Sequence, residues 1–220
     1  MYALGTASTM IESGRCKKII VIGADKMSSL VDYQDRQTCV LFGDGAGAVL
    51  VEASEDTEYG MQDMFFRTDG KGLPFLHMKA GGSVCPASHF TVDHRLHYLY
   101  QEGRNVFRYA VTDMSDDVLE IMKRNNLSKD DVDWVVPHEA NLRIIEAVTK
   151  RAELSMDKVA VNIEHYGNTS AATIPLALWD YESKLKRGDR VIFTAFGAGF
   201  VHGASFFKWA YDGATEATKK

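Results

Sequence analysis

The 220-residue sequence predicts an α/β fold in which buried strands alternate with amphipathic helices. Apolar runs such as Val191–Ala195 have the length and composition of strands inside a sheet. Between these runs, apolar residues recur at intervals of three and four, which is typical of helices that pack one face against a sheet. Special turns at His138, Asn168 and Gly197–Gly199 follow or adjoin these elements, and open α/β sheets place their chemistry at strand ends. We therefore expect one active site assembled from separated segments.

Residues 1–54 are predicted to form a helix, a strand, a loop and a second strand. A helix over residues 2–13 ends at Gly14, a residue suited to a helix C-terminus. The continuous β-branched run Ile19–Ile22 indicates a strand buried on both faces. The glycine-rich segment Gly43–Gly47 then precedes a strand at Ala48–Val51.

Residues 55–98 have a different character, because glycine and proline interrupt every long pattern. The interrupting residues are Gly60, Gly70, Gly72, Pro74, Gly81, Gly82 and Pro86. Glycine and proline are the residues that most often mark turns and loops. We predict that this segment is an irregular connection that covers another part of the molecule.

Residues 99–220 are predicted to form a regular alternation of helices and strands. Helices are expected over residues 106–126, 139–152 and 171–186, and strands over residues 132–136, 159–161, 191–195 and 205–209. Residues 213–220 are polar and are expected to be a frayed tail.

Two stretches of the chain have the same predicted order of elements. Each has a helix, a glycine, a basic residue, a strand, a glycine-rich turn and a second strand, with Gly14 in the first stretch and Gly188 in the second. This order indicates a duplicated fold. The turn that holds Asn168 before one helix then has a counterpart upstream of Met1, so we expect that the first half is truncated at its N-terminus.

The composition excludes several classes of protein. A net charge of −5 argues against nucleic-acid binding, which normally requires a basic excess. Three cysteines without paired spacing argue against a disulfide scaffold or structural zinc site, and indicate a reducing compartment, the cytoplasm. No apolar stretch approaches the ~20 residues of a membrane-spanning helix, and residues 1–13 lack the pattern of a secretion signal.

The sequence contains only weak matches to metal-binding and phosphate-binding motifs. His138 and Glu139 begin like a zinc-protease helix, but Leu142 stands where the second histidine would be required. The loop histidines His89, His94 and His97 lack acidic or thiolate company, so we predict no metal and no cofactor. The Gly43–Gly47 run opens a strand rather than a helix, which favours a structural turn over a phosphate-binding loop.

Five segments together closely resemble β-ketoacyl-ACP synthase III, the condensing enzyme that initiates type II fatty acid synthesis and has a thiolase-like fold. The segments are Asp35–Thr38, Phe42–Ala48, Val136–Ile144, Gly167–Ala172 and Phe196–Phe200. They occur in the family's order and span nearly the whole chain. The resemblance implies transfer of an acyl group from acyl-CoA to a cysteine and decarboxylating condensation with malonyl-ACP, in a homodimer.

The resemblance also implies the roles of individual residues. His138 and Asn168 match the catalytic histidine and asparagine, and the backbone N–H of Ala198 matches an oxyanion donor. Arg36 and Phe107 match the CoA channel and Asn141 the pantetheine arm. The carrier-protein contact is assigned to Glu139, Ala140, Asn141, Leu142 and Arg143, with Arg104, Arg108, Lys150 and Arg151 as a possible basic patch. CoA and carrier-protein thioesters are substrates here, not cofactors.

The chain departs from the family pattern at the nucleophile. The family places its cysteine about four residues before the position of Met1, and none of Cys16, Cys39 and Cys85 is expected to open a helix that would stabilise a thiolate. We therefore expect the isolated chain to be inactive in condensation. Two alternatives remain open: a non-catalytic fragment or subunit of a split protein, and a related condensing enzyme of polyketide biosynthesis.

Overall fold

The computed structural model describes residues 1–213, so the tail predicted to be frayed lies outside the described residues except for Gly213. The helices are α1 (Tyr2–Glu12), α2 (His89–Asp93), α3 (Gly103–Arg124), α4 (Leu142–Arg151), α5 (Ile163–Tyr166) and α6 (Thr173–Tyr181). The strands are β1 (Lys18–Asp25), β2 (Gly45–Glu52), β3 (Gly60–Thr68), β4 (Leu76–Met78), β5 (Leu99–Gln101), β6 (Trp134–Pro137), β7 (Arg190–Gly197) and β8 (Val201–Lys208). The predicted α/β class is confirmed.

The main sheet has the strand order β3-β8-β7-β6, with β6 parallel to β7 and the other pairs antiparallel. Strands β1 and β2 form a separate antiparallel pair, as do β4 and β5. The long amphipathic helix α3 packs with α4 against one face of the main sheet, around Met114, Ile121 and Ile145. Helices α1 and α6 lie between the other face and the β1–β2 pair. The helices thus alternate with the sheets in layers.

The predicted duplication of element order is present in the structure. Helix α1 leads through Gly14 into the hairpin of β1 and β2, and α6 leads through Gly188 into the hairpin of β7 and β8. Both glycines have a positive φ, +72° and +97°, a conformation that L side chains rarely adopt. The chain therefore reverses in the same way at both places.

Two predictions about the strands are wrong. The segment 55–98 is not irregular throughout, because β3 runs through it and pairs with β8 along the edge of the main sheet. Strand β1 is not buried on both faces: Ile20 and Ile22 are 65% and 66% exposed. The β1–β2 pair has helices against one face, so every second side chain in it points away from them.

Helix and strand limits also differ from the predictions, and α4 and the strand expected at 159–161 are two examples. Helix α4 begins at Leu142 rather than at residue 139, because the side chain of Asn141 accepts a hydrogen bond from the N–H of Arg143 and acts as the N-cap. The expected strand at 159–161 is reduced to one bridge between Val159 and Val135.

Candidate active site

His138 lies directly after β6, at the edge of the main sheet where that strand ends. Its backbone N–H donates to the carbonyl of Thr194 at 2.7 Å, which continues the parallel pairing of β6 with β7 by one residue. The residue lines a cavity of about 300 Å³, together with Ser170, Thr173 and Gly197. The strand end therefore directs a histidine toward a cavity, as the sequence predicts.

The ring of His138 has one partner and one available nitrogen. Nδ1 lies 2.7 Å from Oγ1 of Thr173 on α6, while Nε2 makes no hydrogen bond to any residue from 1 to 213. Burial lowers the pKa of His138 from 6.5 to about 4. The ring is consequently neutral at pH 7, with one N–H and one lone pair.

The backbone of Asn168 is held against the segment that precedes β2. Its N–H donates to Leu41 at 2.8 Å, and its carbonyl accepts from Gly43 at 3.0 Å. A Cβ added at Gly43 would lie 2.1 Å from the carbonyl oxygen of Tyr166, so only glycine permits this approach. The glycine-rich run is thus structural, and its function is to let β2 pack against the turn that carries Asn168.

The side chain of Asn168 is oriented by its own turn. Oδ1 accepts a hydrogen bond from the N–H of Ser170 at 2.9 Å, an assignment that follows because a backbone N–H can only donate. The amide nitrogen Nδ2 has no hydrogen-bond partner within residues 1–213. Ser170 and Thr173 of the same turn line the cavity of His138. Two neutral side chains that can donate hydrogen bonds are therefore positioned by the elements around one cavity.

Ala198 lies in the turn between β7 and β8 and is exposed. The preceding residue, Gly197, lines the cavity. The turn therefore adjoins the site, and the resemblance implies a backbone donor at Ala198.

The predicted CoA and pantetheine residues lie on three different elements. Arg36 is exposed in the loop before β2. Phe107 on α3 is half-buried, and the guanidinium of Arg143 on α4 lies 5.6 Å from the centre of its ring. Asn141 uses Oδ1 to cap α4, which leaves its amide nitrogen for other contacts. Phe107 and Asn141 thus lie near Arg143, and within residues 1–213 no hydrogen bond, ion pair or ring contact joins Arg36 to them.

One predicted carrier-protein contact is wrong. Glu139 is fully buried, and both of its carboxylate oxygens accept from the N–H of Asn162, at 2.9 and 3.2 Å. Burial raises its pKa from 4.5 to about 7, and the nearby Asp180 acts in the same direction. A side chain in this position supports the site from within and does not reach a surface partner.

The other predicted carrier contacts are accessible to different extents. Arg143 is exposed, and Ala140 and Leu142 are half-buried. All four residues of the possible basic patch are exposed: Arg104, Arg108, Lys150 and Arg151. Of these, Arg151 forms an ion pair with Asp116 at 2.7 Å. Arg143 is therefore the predicted contact most open to a partner.

No cysteine is among the residues that line the cavity in the described part of the chain. Cys16, Cys39 and Cys85 are half-buried free thiols. Within residues 1–213 no cluster of three or more histidine, cysteine, aspartate or glutamate side chains is arranged to hold a metal ion. Over the same residues, no helix is both long and apolar enough to cross a membrane.

Sequence reasoning missed the residues that orient the two donors. Thr173 contacts the ring of His138, Ser170 contacts the amide of Asn168, and Leu41 holds the Asn168 backbone. Thr173 and Ser170 were detectable only as small polar residues beside Asn168. Leu41 gave no signal, because its contribution is a carbonyl group that every residue has.

Two family models match the chain. Residues 1–70 match 3-oxoacyl-[acyl-carrier-protein (ACP)] synthase III, and residues 122–209 match the C-terminal model of the same family. The first match contains the glycine-rich run at Gly43–Gly47, and the second contains His138 and Asn168.

Curated relatives are similar over nearly the whole of this chain. Beta-ketoacyl-[acyl-carrier-protein] synthase III of Phocaeicola vulgatus is 64% identical over 97% of the chain, which spans 64% of that protein's length. The corresponding protein of Porphyromonas gingivalis is 58% identical over 98% of the chain, again 64% of the relative. The chain thus spans a little less than two thirds of these relatives.

Solved structures agree with the fold. The 3-oxoacyl-[acyl-carrier-protein] synthase III of Aquifex aeolicus superposes with a TM-score of 0.83 at 40% identity, covering 94% of this chain and 63% of that one. The priming β-ketosynthase from the R1128 polyketide biosynthetic pathway gives 0.84 at 31% identity, covering 97% and 63%. The fold is therefore thiolase-like, and the chain belongs to the 3-oxoacyl-[acyl-carrier-protein] synthase III family.

Proposed function

We propose that this chain carries the decarboxylation site of an acyltransferase that condenses acyl-CoA with malonyl-ACP to give 3-oxoacyl-ACP, CoA and CO2. The observation that carries the proposal is the pair of free donors, Nε2 of His138 and Nδ2 of Asn168, on segments that border one cavity. The family relationship supports the same reaction.

The chemistry of decarboxylation explains why two neutral donors suit the reaction. Loss of CO2 from a malonyl thioester leaves an enolate whose negative charge collects on the thioester oxygen. Hydrogen bonds aimed at that oxygen stabilise the charge as it develops, and a single donor of this kind contributes about 3–4 kcal/mol. The lowered pKa of His138, about 4, keeps the ring neutral and able to donate one hydrogen bond.

Other residues are proposed to serve the remaining parts of the reaction. The turn at Ala198 borders the site and has a backbone N–H to offer to a second oxyanion, which forms when the acyl thioester is attacked. Arg36, Phe107 and Asn141 are proposed to contact CoA and the pantetheine arm. Exposed Arg143 is proposed as the centre of a docking site for the acidic carrier protein, since local basic patches steer association. A homodimer is proposed from the family alone.

Decarboxylation and condensation must be assayed separately, because none of the described cysteines lines the cavity. The decarboxylation test measures release of CO2 from malonyl-ACP by the purified chain. We expect His138→Ala and Asn168→Ala each to lower the rate about 10²- to 10³-fold, the usual effect of removing one oxyanion donor. The exposed His165 provides the matched control, His165→Ala. Equal rates in the wild-type chain and His138→Ala would contradict the proposal.

Condensation is then measured with acyl-CoA added, with and without iodoacetamide. Turnover that needs a thiol is expected to stop on alkylation, and turnover that persists would contradict a cysteine nucleophile. A chain that releases CO2 without condensing agrees with the alternative that it works as a fragment or as one subunit of a split protein.

The polyketide alternative has one specific observation in its favour, the similarity to the R1128 priming β-ketosynthase. The relatives at 58–64% identity are instead curated as β-ketoacyl-ACP synthase III, which favours fatty acid synthesis. Parallel assays with carrier proteins from the two kinds of pathway distinguish them.

A further inference from the structure

We propose that the hydroxyl group of Thr173 is a positioning group that fixes the ring tautomer of His138, with the proton on Nε2, the ring nitrogen that has no partner among residues 1–213. The proposal rests on the proposed function only where it assigns that proton a role in decarboxylation. The tautomer itself is a property of the protein without substrate, and it can be measured without turnover.

A neutral histidine carries its proton on one of two nitrogens, and the neighbour of the other nitrogen determines which one. For His138 that neighbour is Oγ1 of Thr173, which lies 2.7 Å from Nδ1. If the hydroxyl donates, Nδ1 is an acceptor and Nε2 carries the proton. If the hydroxyl accepts, Nδ1 carries the proton and Nε2 has only a lone pair to offer.

The local hydrogen bonds of Thr173 favour donation to the histidine. Its hydroxyl has a second possible acceptor, the carbonyl of Ser170 at 3.0 Å. That carbonyl already accepts the backbone N–H of Thr173, so it has one donor without the hydroxyl. The contact with Nδ1 is also the shorter of the two. The single hydroxyl hydrogen therefore points toward His138, and Nε2 keeps its proton.

Burial makes this arrangement effective. Thr173 is only 3% exposed, so water does not compete for its hydroxyl group. The pKa of His138, lowered to about 4 by burial, excludes the doubly protonated ring at neutral pH. The two neutral tautomers are consequently the states between which Thr173 selects.

The same turn orients both proposed donors. Ser170 donates its N–H to Oδ1 of Asn168 and leaves the amide nitrogen free. Three residues later, Thr173 donates to Nδ1 of His138 and leaves Nε2–H free. A short segment of chain thus turns two ambiguous side chains, an amide and an imidazole, into two hydrogen-bond donors.

The test is ¹⁵N NMR of the histidine ring nitrogens in the purified chain at pH 7, without substrate. In the wild-type protein we expect Nε2 of His138 to be protonated and Nδ1 to be unprotonated. In Thr173→Val the ring signals should move toward an average of the two tautomers, and Thr173→Ser, which restores the hydroxyl, should return them to the wild-type positions. A wild-type ring with its proton on Nδ1 would overturn the proposal.

Thr149 provides a matched control for the substitution itself. It is 5% exposed, and its hydroxyl donates to the carbonyl of Ile145 within α4. Thr149→Val makes the same change at a buried position in another helix, and we expect it to leave the His138 ring signals unmoved. Identical His138 spectra in Thr173→Val and Thr173→Ser would also refute the role of the hydroxyl.

Decarboxylation kinetics provide the second measurement. Thr173→Val should lower kcat roughly tenfold, the effect of one neutral hydrogen bond, with little change in KM. Loss of decarboxylation in every protein, including the wild type, would contradict the proposed function while the NMR result still decides the tautomer. A normal kcat in Thr173→Val, combined with altered ring signals, would show that the tautomer does not limit the reaction and would overturn the positioning role.

Discussion

Replacing Glu139 by glutamine should change how the free energy of unfolding depends on pH. The carboxyl group is fully buried, and its pKa is raised from 4.5 to about 7. The folded protein therefore keeps a proton on this group over a range in which the unfolded chain has lost it. The resulting stabilisation is fully present below pH 4.5 and is lost as the pH rises through about 7. At about 1.4 kcal/mol per pKa unit, the loss amounts to about 3 kcal/mol.

His138 has the opposite effect in nearly the same range. Its pKa is lowered from 6.5 to about 4, so the unfolded chain binds the extra proton more readily than the folded protein. Stability from this group is complete above pH 6.5 and is lost as the pH falls through about 4, again by about 3 kcal/mol. Between pH 4.5 and 6.5, a rise in pH lowers the stability contributed by Glu139 and raises that contributed by His138. The two changes largely cancel in the wild-type protein.

Glu139→Gln removes the first contribution and keeps the second. Glutamine has nearly the same shape, and its carbonyl oxygen can still accept the N–H of Asn162, which lies 2.9 Å from the carboxylate in the wild type. The stability of the variant relative to wild type should increase by about 3 kcal/mol between pH 4.5 and pH 8. Urea unfolding at intervals of one pH unit measures this difference, with the exposed Glu146→Gln as control. A difference that stays constant with pH would refute the reasoning.

Three further predictions concern packing at Gly43, the contact between the side chains of Asp117 and His202, and the proposed docking surface. Gly43→Ala should destabilise the protein and displace the Asn168 turn, because its Cβ would lie 2.1 Å from a carbonyl oxygen, whereas Gly103→Ala has open space and should be neutral or slightly stabilising in thermal unfolding. Asp117→Asn should cost about 3 kcal/mol in urea unfolding, because the fully buried carboxylate bonds His202 at 2.6 Å. The partnership with Asp117 raises the pKa of His202, so this loss should shrink as the pH rises through that raised value. Arg143→Ala should weaken carrier-protein binding most at low salt, and equal affinities in a titration would contradict the docking role.

Much of the order of elements could be predicted from the sequence because most of the long elements have their own local pattern. The long amphipathic helix α3 and the apolar runs of β6 and β7 are clear examples. Strand β3 was missed because its sequence, Gly60–Thr68, lacks a regular alternation and lies among glycines. It becomes a strand through its pairing with β8, a tertiary contact that no local pattern shows.

Burial was harder to predict than element type. The run Ile19–Ile22 is typical of a strand covered on both faces, but composition does not reveal whether a second layer is present. Glu139 was expected at the surface because the family resemblance assigns it to the carrier-protein contact, but its side chain is fully buried. Its backbone partner Asn162 lies 23 positions away, so only the folded chain shows the reason for its burial.

The candidate site was predicted in part for similar reasons. His138 and Asn168 stand out because they occur in unusual turns, and the family resemblance assigns their roles. The groups that orient them, the Thr173 hydroxyl and the backbone of Leu41 and Gly43, act through contacts between distant segments. These contacts determine which hydrogen-bonding groups of the two side chains remain without a partner.

A double-mutant cycle on the rate of CO2 release from malonyl-ACP tests most directly the claim that His138 and Asn168 stabilise the charge on one oxygen. His138→Ala, Asn168→Ala and the double variant are compared with the wild-type chain under identical conditions. Groups that act as a unit give strongly non-additive losses, so we predict that the double variant is hardly slower than the slower single variant. Losses that multiply, with each substitution acting independently of the other, would contradict the account.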